Sequence, residues 1–189
     1  MKDASETRSV AELVQAVNAG VRPKFLMFWG HTPKHGQDVG PWVFSQWFHA
    51  PFEHDGSRYP TAEHWMMASK ARLFGDDEAL EAILTAGSPA QAKQLGRTVR
   101  GFDENTWVAE RFSIVVEGNV HKFSSTPPLR EYLLGTKRRV LVEASPADRI
   151  WGTGLAVDHE HAERPDKWRG LNLLGFALMK ARARLLELD

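Results

Sequence analysis

Helix starts punctuate this chain so regularly that they decide its class. Ser9, Thr61, Asp76, Ser88 and Asp103 each stand just before a run that reads as helix, and each carries a short polar side chain able to accept an orphan first-turn N–H. Glu12 follows Ser9 at capping-box distance, Pro89 occupies a first helical position, and Pro127 with Pro128 opens another helix. These signals predict helices over residues 9–20, 61–74, 77–85, 89–96, 104–121 and 127–134, with a terminal amphipathic helix over 171–188. Little chain is left for strands. KFLMFWG at 24–30 is a compact apolar run, and RRVLVEAS at 138–145 is a second candidate. Residues 43–60 alternate aromatic and polar side chains and turn at Asp55-Gly56, which predicts a strand or two in a small hairpin with the run before it. Residues 31–42 and 158–167 read as loops, and 146–154 as a turn of helix entering a glycine-bounded loop. The class predicted is mainly α with a small β component (α+β), in a single domain.

With 189 residues, 42% of them hydrophobic, the chain is long enough to bury a sizeable core. Lys and Arg balance Asp and Glu at 24 each, so any anionic substrate must be met by local cations, and tight DNA binding is disfavoured. The absence of cysteine removes disulfides, thiolate catalysis and zinc clusters, and suits a reducing cytoplasm. The N-terminus is charged and lacks the apolar stretch of a signal peptide, and no run approaches a membrane span. A cytoplasmic protein without a membrane partner is expected.

The stretch over 59–74, YPTAEHWMMASKARLF, carries the densest chemistry. Glu63 and Lys70 lie seven positions apart, roughly 700° around the helix and within about 20° of one stripe. Their separation along the axis, about 10 Å, is too long for an ion pair and suits two groups holding a small molecule between them. Met66, Met67, Leu73 and Phe74 supply apolar surface. The ordinary structural meaning is that a first-turn Glu suits the helix dipole and a Lys suits a helix surface.

Seven Trp against two Tyr is unusual. Three places set polar groups beside Trp: Phe28-Trp29-Gly30, Asp148 with Trp151-Gly152, and Trp168 with Asn172. Glycine after Trp lets backbone approach a ligand while the indole forms a wall, a pattern suited to a flat polar ring. Each Trp alone is also an ordinary core residue. His31 and His35 are not at metal-ligand spacing, HAERPDKW reads as solvated loop, and the signatures of serine hydrolases, dinucleotide enzymes, P-loop enzymes and zincins are absent. Carboxylate and amine chemistry remain.

In order along the chain, FWG at 28–30, FSQW at 44–47, YPTAEHWMMASKA at 59–71, AKQLGRTV at 92–99, Trp107, KF at 122–123, LVEASPADRIWGTGL at 141–155 and WRGLNLLGFALM at 168–179 resemble the blocks of the NADAR family, the YbiA-like N-glycosidases. The resemblance covers roughly residues 25–185, leaving 1–23 as an N-terminal helical extension of a domain over 24–189. It implies a YbiA-like fold and cleavage of the bond between ribose C1′ and an exocyclic amine, without cofactor or metal. Two substrate types follow: phosphoribosylaminopyrimidine intermediates of riboflavin synthesis, or ADP-ribosyl-guanine, which would bring in ADP-ribosylated nucleic acid as a partner. A non-catalytic module binding ADP-ribose or a nucleotide is the alternative of another class.

By position the resemblance makes Glu63, Trp107, Asp148 and Trp151 active-site residues, with Lys70 a matched position. Catalytic roles are expected for Glu63, Lys70 and Asp148, and substrate contacts for Phe28, Trp29, Gly30, Trp107, Trp151, Gly152 and Asn172. Arg97 and Lys122 are candidate phosphate contacts. The chain departs from the family at Phe44-Ser45-Gln46-Trp47, where FSNF is common. Its 31–42 connection is longer than in compact members and is a candidate lid.

Overall fold

The structure, a computed structural model, describes residues 3–34 and 36–188, so His35 lies outside it. In chain order the elements are α1 (Val10–Asn18), β1 (Phe25–Phe28), β2 (Phe52–His54), β3 (Ser57–Tyr59), α2 (Ala62–Leu73), α3 (Asp77–Leu84), α4 (Pro89–Gly96), α5 (Glu104–Ser124), α6 (Pro127–Gly135), β4 (Val140–Glu143) and α7 (Leu173–Glu187). The α+β class is as predicted. Ser9, Thr61, Asp76, Ser88 and Asp103 each accept a first-turn amide from their own side chain, so the five caps act as the sequence indicates.

The strand pairing differs from expectation. The run at 24–30 makes no hairpin with 43–60; β1 pairs in parallel with β4, Phe25 opposite Val140 and Phe28 opposite Glu143. β1 is apolar throughout and β4 up to its last residue, Glu143, as strands of a covered parallel pair are, and no local turn announces a partner so far along the chain. Residues 43–48 form no strand either. A 3₁₀ turn over Pro41–Phe44 drives Trp42, Val43 and Phe44 into the core, and the hairpin at Asp55-Gly56 joins only β2 to β3. Helix α5 runs on to Ser124, and Pro165–Lys167 form a further 3₁₀ turn within the expected loop.

The core lies between α2, α5, α7 and the β1–β4 pair. Helix α7 is buried along most of its length, Phe176, Ala177, Leu178, Ala181 and Leu185 being fully covered, so it runs through the core instead of lying on it with one apolar stripe. Its buried Arg182 donates to Thr136 Oγ1 at 2.7 Å and the Arg139 carbonyl at 3.0 Å, satisfying a cation away from water. Helices α2 and α5 cross closely: a Cβ on Gly118 would stand 2.3 Å from Trp65, whose indole donates to the Ile114 carbonyl. Asp76 caps α3 and also takes the backbone amide and guanidinium of Arg100, which holds its carboxyl below the usual carboxylate range. That double use fixes the segment leading into α5. Ala4 and Leu13 belong to the same core as the rest. Among the described residues no helix is long and apolar enough to cross a membrane.

Candidate active site

Strands β1 and β4 run in parallel, so their carboxyl ends open on the same side, and the first turn of α2 meets them there. Crevices outside the carboxyl ends of parallel strands are where α/β folds hold ligands. A cavity of about 620 Å³ occupies this place. Trp29 and Gly30 reach it from the end of β1, Glu143 from the end of β4, and Glu63, Met66, Met67 and Lys70 from one stripe of α2. Trp47, Trp107 and Trp151 complete its aromatic walls with Trp29, and Asp148 stands at its edge.

Glu63 is 3% exposed. Its amide donates to the Gln46 carbonyl at 3.0 Å, and its Oε1 is buried without a hydrogen-bond partner among the described residues. Burial pushes its carboxyl up to about 7, with nearby Asp148 adding to the rise and Lys93, the Trp47 indole and Arg97 opposing it. Glu143 is similar: burial, then Asp148 and Glu63, push it up to about 8, and its Oε2 is buried and unpaired among the described residues. Burying a carboxyl without pairing it is costly, and such perturbed groups in a cleft concentrate at functional sites. A carboxyl raised toward neutral pH has the pKa a general acid or base needs.

Lys70 is half-buried on the same stripe. Its Nζ donates to the Gly96 carbonyl at 2.7 Å and lies 4.1 Å from the Phe102 ring centroid and 5.6 Å from that of Trp107. Burial lowers its pKa. The third group of the helix, His64, turns away: its Nδ1 meets Thr61 Oγ1 at 2.8 Å and its Nε2 the Ala86 carbonyl at 3.1 Å, so it ties α2 to the end of α3.

The expected turn of helix at 146–154 is instead a side-chain-built turn. Asp148 Oδ1 accepts the amides of Ile150 at 2.8 Å and Trp151 at 2.7 Å, aiming Trp151 at the cavity. Backbone bonds from 171–174 to 149–152 hold this loop against the start of α7.

Of the residues singled out in the sequence, Glu63, Lys70, Asp148, Trp29, Gly30, Trp107 and Trp151 face one cavity. Phe28, Gly152 and Asn172 do not line it. Phe28 is a core residue packed edge-on against Phe44. Gly152 is packed against backbone: a Cβ there would stand 3.0 Å from the Asp148 and Glu143 carbonyl oxygens, so the glycine serves the loop rather than a ligand. Asn172 is fully buried, accepting the Glu143 amide at 2.9 Å and donating to the Leu141 carbonyl at 3.0 Å, so it clamps β4 from behind. The two candidate phosphate contacts also part company. Arg97 lines the cavity, whereas Lys122 is fully buried and donates to the Ser45 carbonyl at 2.7 Å.

Sequence reasoning missed Glu143 and Lys93. Glu143 was signalled only by an acid ending an apolar strand. Lys93, Gly96 and Arg97 share one face of α4 at i, i+3 and i+4, and all three line the cavity. Gln46 and Trp47, where the chain departs from the family, line it as well.

Residues 27–186 match the NADAR domain. The chain belongs to the NADAR family. Among its relatives, N-glycosidase R617 of Acanthamoeba polyphaga mimivirus is 41% identical over 164 residues, covering 84% of this chain and 95% of that protein. The riboflavin biosynthesis protein PYRR, chloroplastic, of Zea mays is 35% identical over 135 residues, 68% of this chain and 20% of that longer protein. The NMR structure of the E. coli protein YbiA matches with a TM-score of 0.68 at 28% identity, covering 88% of both chains. The resemblance seen in the motifs and the YbiA-like fold thus both hold for this NADAR protein.

Proposed function

We propose that this protein cleaves the bond between ribose C1′ and the exocyclic amine of a phosphoribosylaminopyrimidine, releasing ribose 5-phosphate. The reaction class comes with the family: the chain is an enzyme, a hydrolase acting on N-glycosyl compounds. The choice of substrate draws on the likeness to a riboflavin biosynthesis protein and on a cavity that has aromatic walls for a flat base and the cations Lys93 and Arg97 for a phosphate. The observation that carries the reading is that the buried carboxyl of Glu63, with Oε1 unpaired among the described residues, and the amine of Lys70 open on the same hollow.

In this reading Glu63 gives a proton to the ribose ring oxygen, and the C1′–O bond opens to an imine. Lys70, as neutral amine, adds to C1′. Glu63, now a carboxylate, takes a proton from the added Lys70 nitrogen and passes it to the exocyclic nitrogen, the C1′–N bond to the base breaks, and a Schiff base joins C1′ to Lys70. Water adds to C1′, the bond to Nζ breaks, and the sugar leaves as its aldehyde with Lys70 restored. Burial lowers the Lys70 pKa against the opposing pull of Glu104, which moves it toward the neutral amine this requires. Asp148 orients ribose hydroxyls or activates the water, and Glu143 accepts a second hydroxyl.

A second reading has one observation of its own. Lys70 Nζ donates to Gly96, the last residue of α4, where backbone carbonyls favour a cation. A lysine held there pairs with sugar or phosphate oxygens while Glu63 or Asp148 activates water directly. The other substrate type, ADP-ribosyl-guanine, would use the exposed Trp29 and Ile150 at the rim. Incubation with a phosphoribosylaminopyrimidine and, separately, with guanine-ADP-ribosylated DNA tests the proposal. Free ribose 5-phosphate from the first alone supports it. Release of ADP-ribose from the second alone replaces the substrate, and no sugar from either refutes both.

A further inference from the structure

On a face that contributes nothing to the catalytic cavity, two imidazoles and a carboxylate come together from separate elements. His54 ends β2, while Glu117 and His121 stand four residues apart on α5 and so share one helix face. One ligand atom from each of the three lies within 4.8 Å of the others. The His54 and His121 ring centroids are 4.2 Å apart. His121 Nε2 is buried with no hydrogen-bond partner among the described residues; its nearest acidic atom is Glu117 Oε1 at 3.9 Å.

We propose that His54, Glu117 and His121 bind a divalent metal ion of the zinc class. Two neutral imidazoles and one carboxylate are a donor set zinc takes readily, and it needs no cysteine. Bond lengths of about 2.1 Å call for donors roughly 3.4 Å apart in a tetrahedral site, so donors up to 4.8 Å apart must close by up to about 1.4 Å. Side-chain exposures of 32%, 52% and 26% leave them free to do so. Asp55, whose carboxylate lies 3.2 Å from His54 Nε2, stands ready to orient that ring or to reach the ion. His121 also lines a surface hollow with Glu53, Arg58 and Ser125. An ion here would staple the β2–β3 hairpin, whose strands are only three residues each, to the long helix α5. Isolated hairpins of that size are marginal, so such a clip has a job to do.

The test uses the full chain and zinc chloride. Calorimetry should give one equivalent bound, and melting should rise by about 5–10 °C at a hundredfold excess over Kd. His54→Ala and Glu117→Gln, both at part-exposed positions, should each weaken binding at least about tenfold. His159 and His161, with rings 5.5 Å apart elsewhere on the surface, provide the control: the double variant His159→Ala/His161→Ala should bind like the parent. No heat and no change in melting at millimolar zinc overturns the proposal. So does binding that survives both ligand variants, or that disappears in the His159/His161 double variant.

Discussion

The backbone amide of Glu63 donates to the carbonyl of Gln46 at 3.0 Å, so the buried acid of α2 takes its position from the segment at 45–47. That segment is gripped from behind by α5: Asn119 Nδ2 donates to Gln46 Oε1 at 3.1 Å, and Lys122 Nζ to the Ser45 carbonyl at 2.7 Å. Gln46 and Trp47 also line the cavity, and Gln46 Nε2 is buried without a partner among the described residues. An orphan donor in a pocket rejects ligands that cannot accept from it.

Gln46→Asn combined with Trp47→Phe therefore changes what the pocket prefers. The ratio of kcat/KM for phosphoribosylaminopyrimidine against ADP-ribosyl-guanine should move by at least about tenfold, a loss of one good hydrogen bond. Competition assays read it; an unchanged ratio removes these two positions from specificity.

Glu63→Gln keeps size and loses the proton. We expect kcat to fall at least about 100-fold, with the fold intact by circular dichroism. A near-normal rate takes Glu63 out of the chemistry.

The raised carboxyls also predict a pH effect on stability. Folded Glu63 and Glu143 titrate near 7 and near 8, above the ordinary 4.5, so the folded chain holds more protons and these groups cost stability as pH rises through that window. Lys122, pushed down to about 7 by burial, acts in the opposite sense above that pH, so the comparison with variants is what isolates the carboxyls. Glu63→Gln should be more stable than the parent at pH 8.5, by on the order of 3 kcal/mol, and lose the advantage at pH 5. Parallel melting curves across that range would contradict the assignment.

Gly96 lets α4 approach α2. A Cβ there would stand 2.0 Å from Met67 Sδ, and the same turn carries Lys93, Arg97 and the carbonyl that Lys70 binds. Gly96→Ala should cost about 1–3 kcal/mol of stability by overpacking and raise KM as the two cations shift. Urea unfolding and steady-state kinetics check the two effects separately.

Much of this arrangement was legible in the chain because caps and helical periodicity are local. Thr61 fixed where α2 begins, and the seven-residue spacing then put Glu63 and Lys70 on one stripe. The β1–β4 pairing was not legible, since nothing near Phe25 points to Val140. With it went Glu143, whose place in the cavity exists only once that pairing is made. Lys93 was hidden for a related reason: its face of α4 matters only because Gly96 brings the helix against Met67. Gly152 follows Trp151 and Asn172 lies four residues after Trp168, yet both meet backbone: Gly152 packs against the Asp148 and Glu143 carbonyls, and Asn172 bonds the backbone of β4.

The central claim is that Glu63 and Lys70 act on the same anomeric carbon, and borohydride trapping addresses it most directly. Added during turnover, borohydride should reduce the Schiff base and leave one sugar phosphate fixed to Lys70, located by peptide mass spectrometry, while Lys70→Ala gives no adduct and little activity. No adduct in the parent protein, together with substantial turnover by Lys70→Ala, would contradict the claim and leave direct hydrolysis in its place.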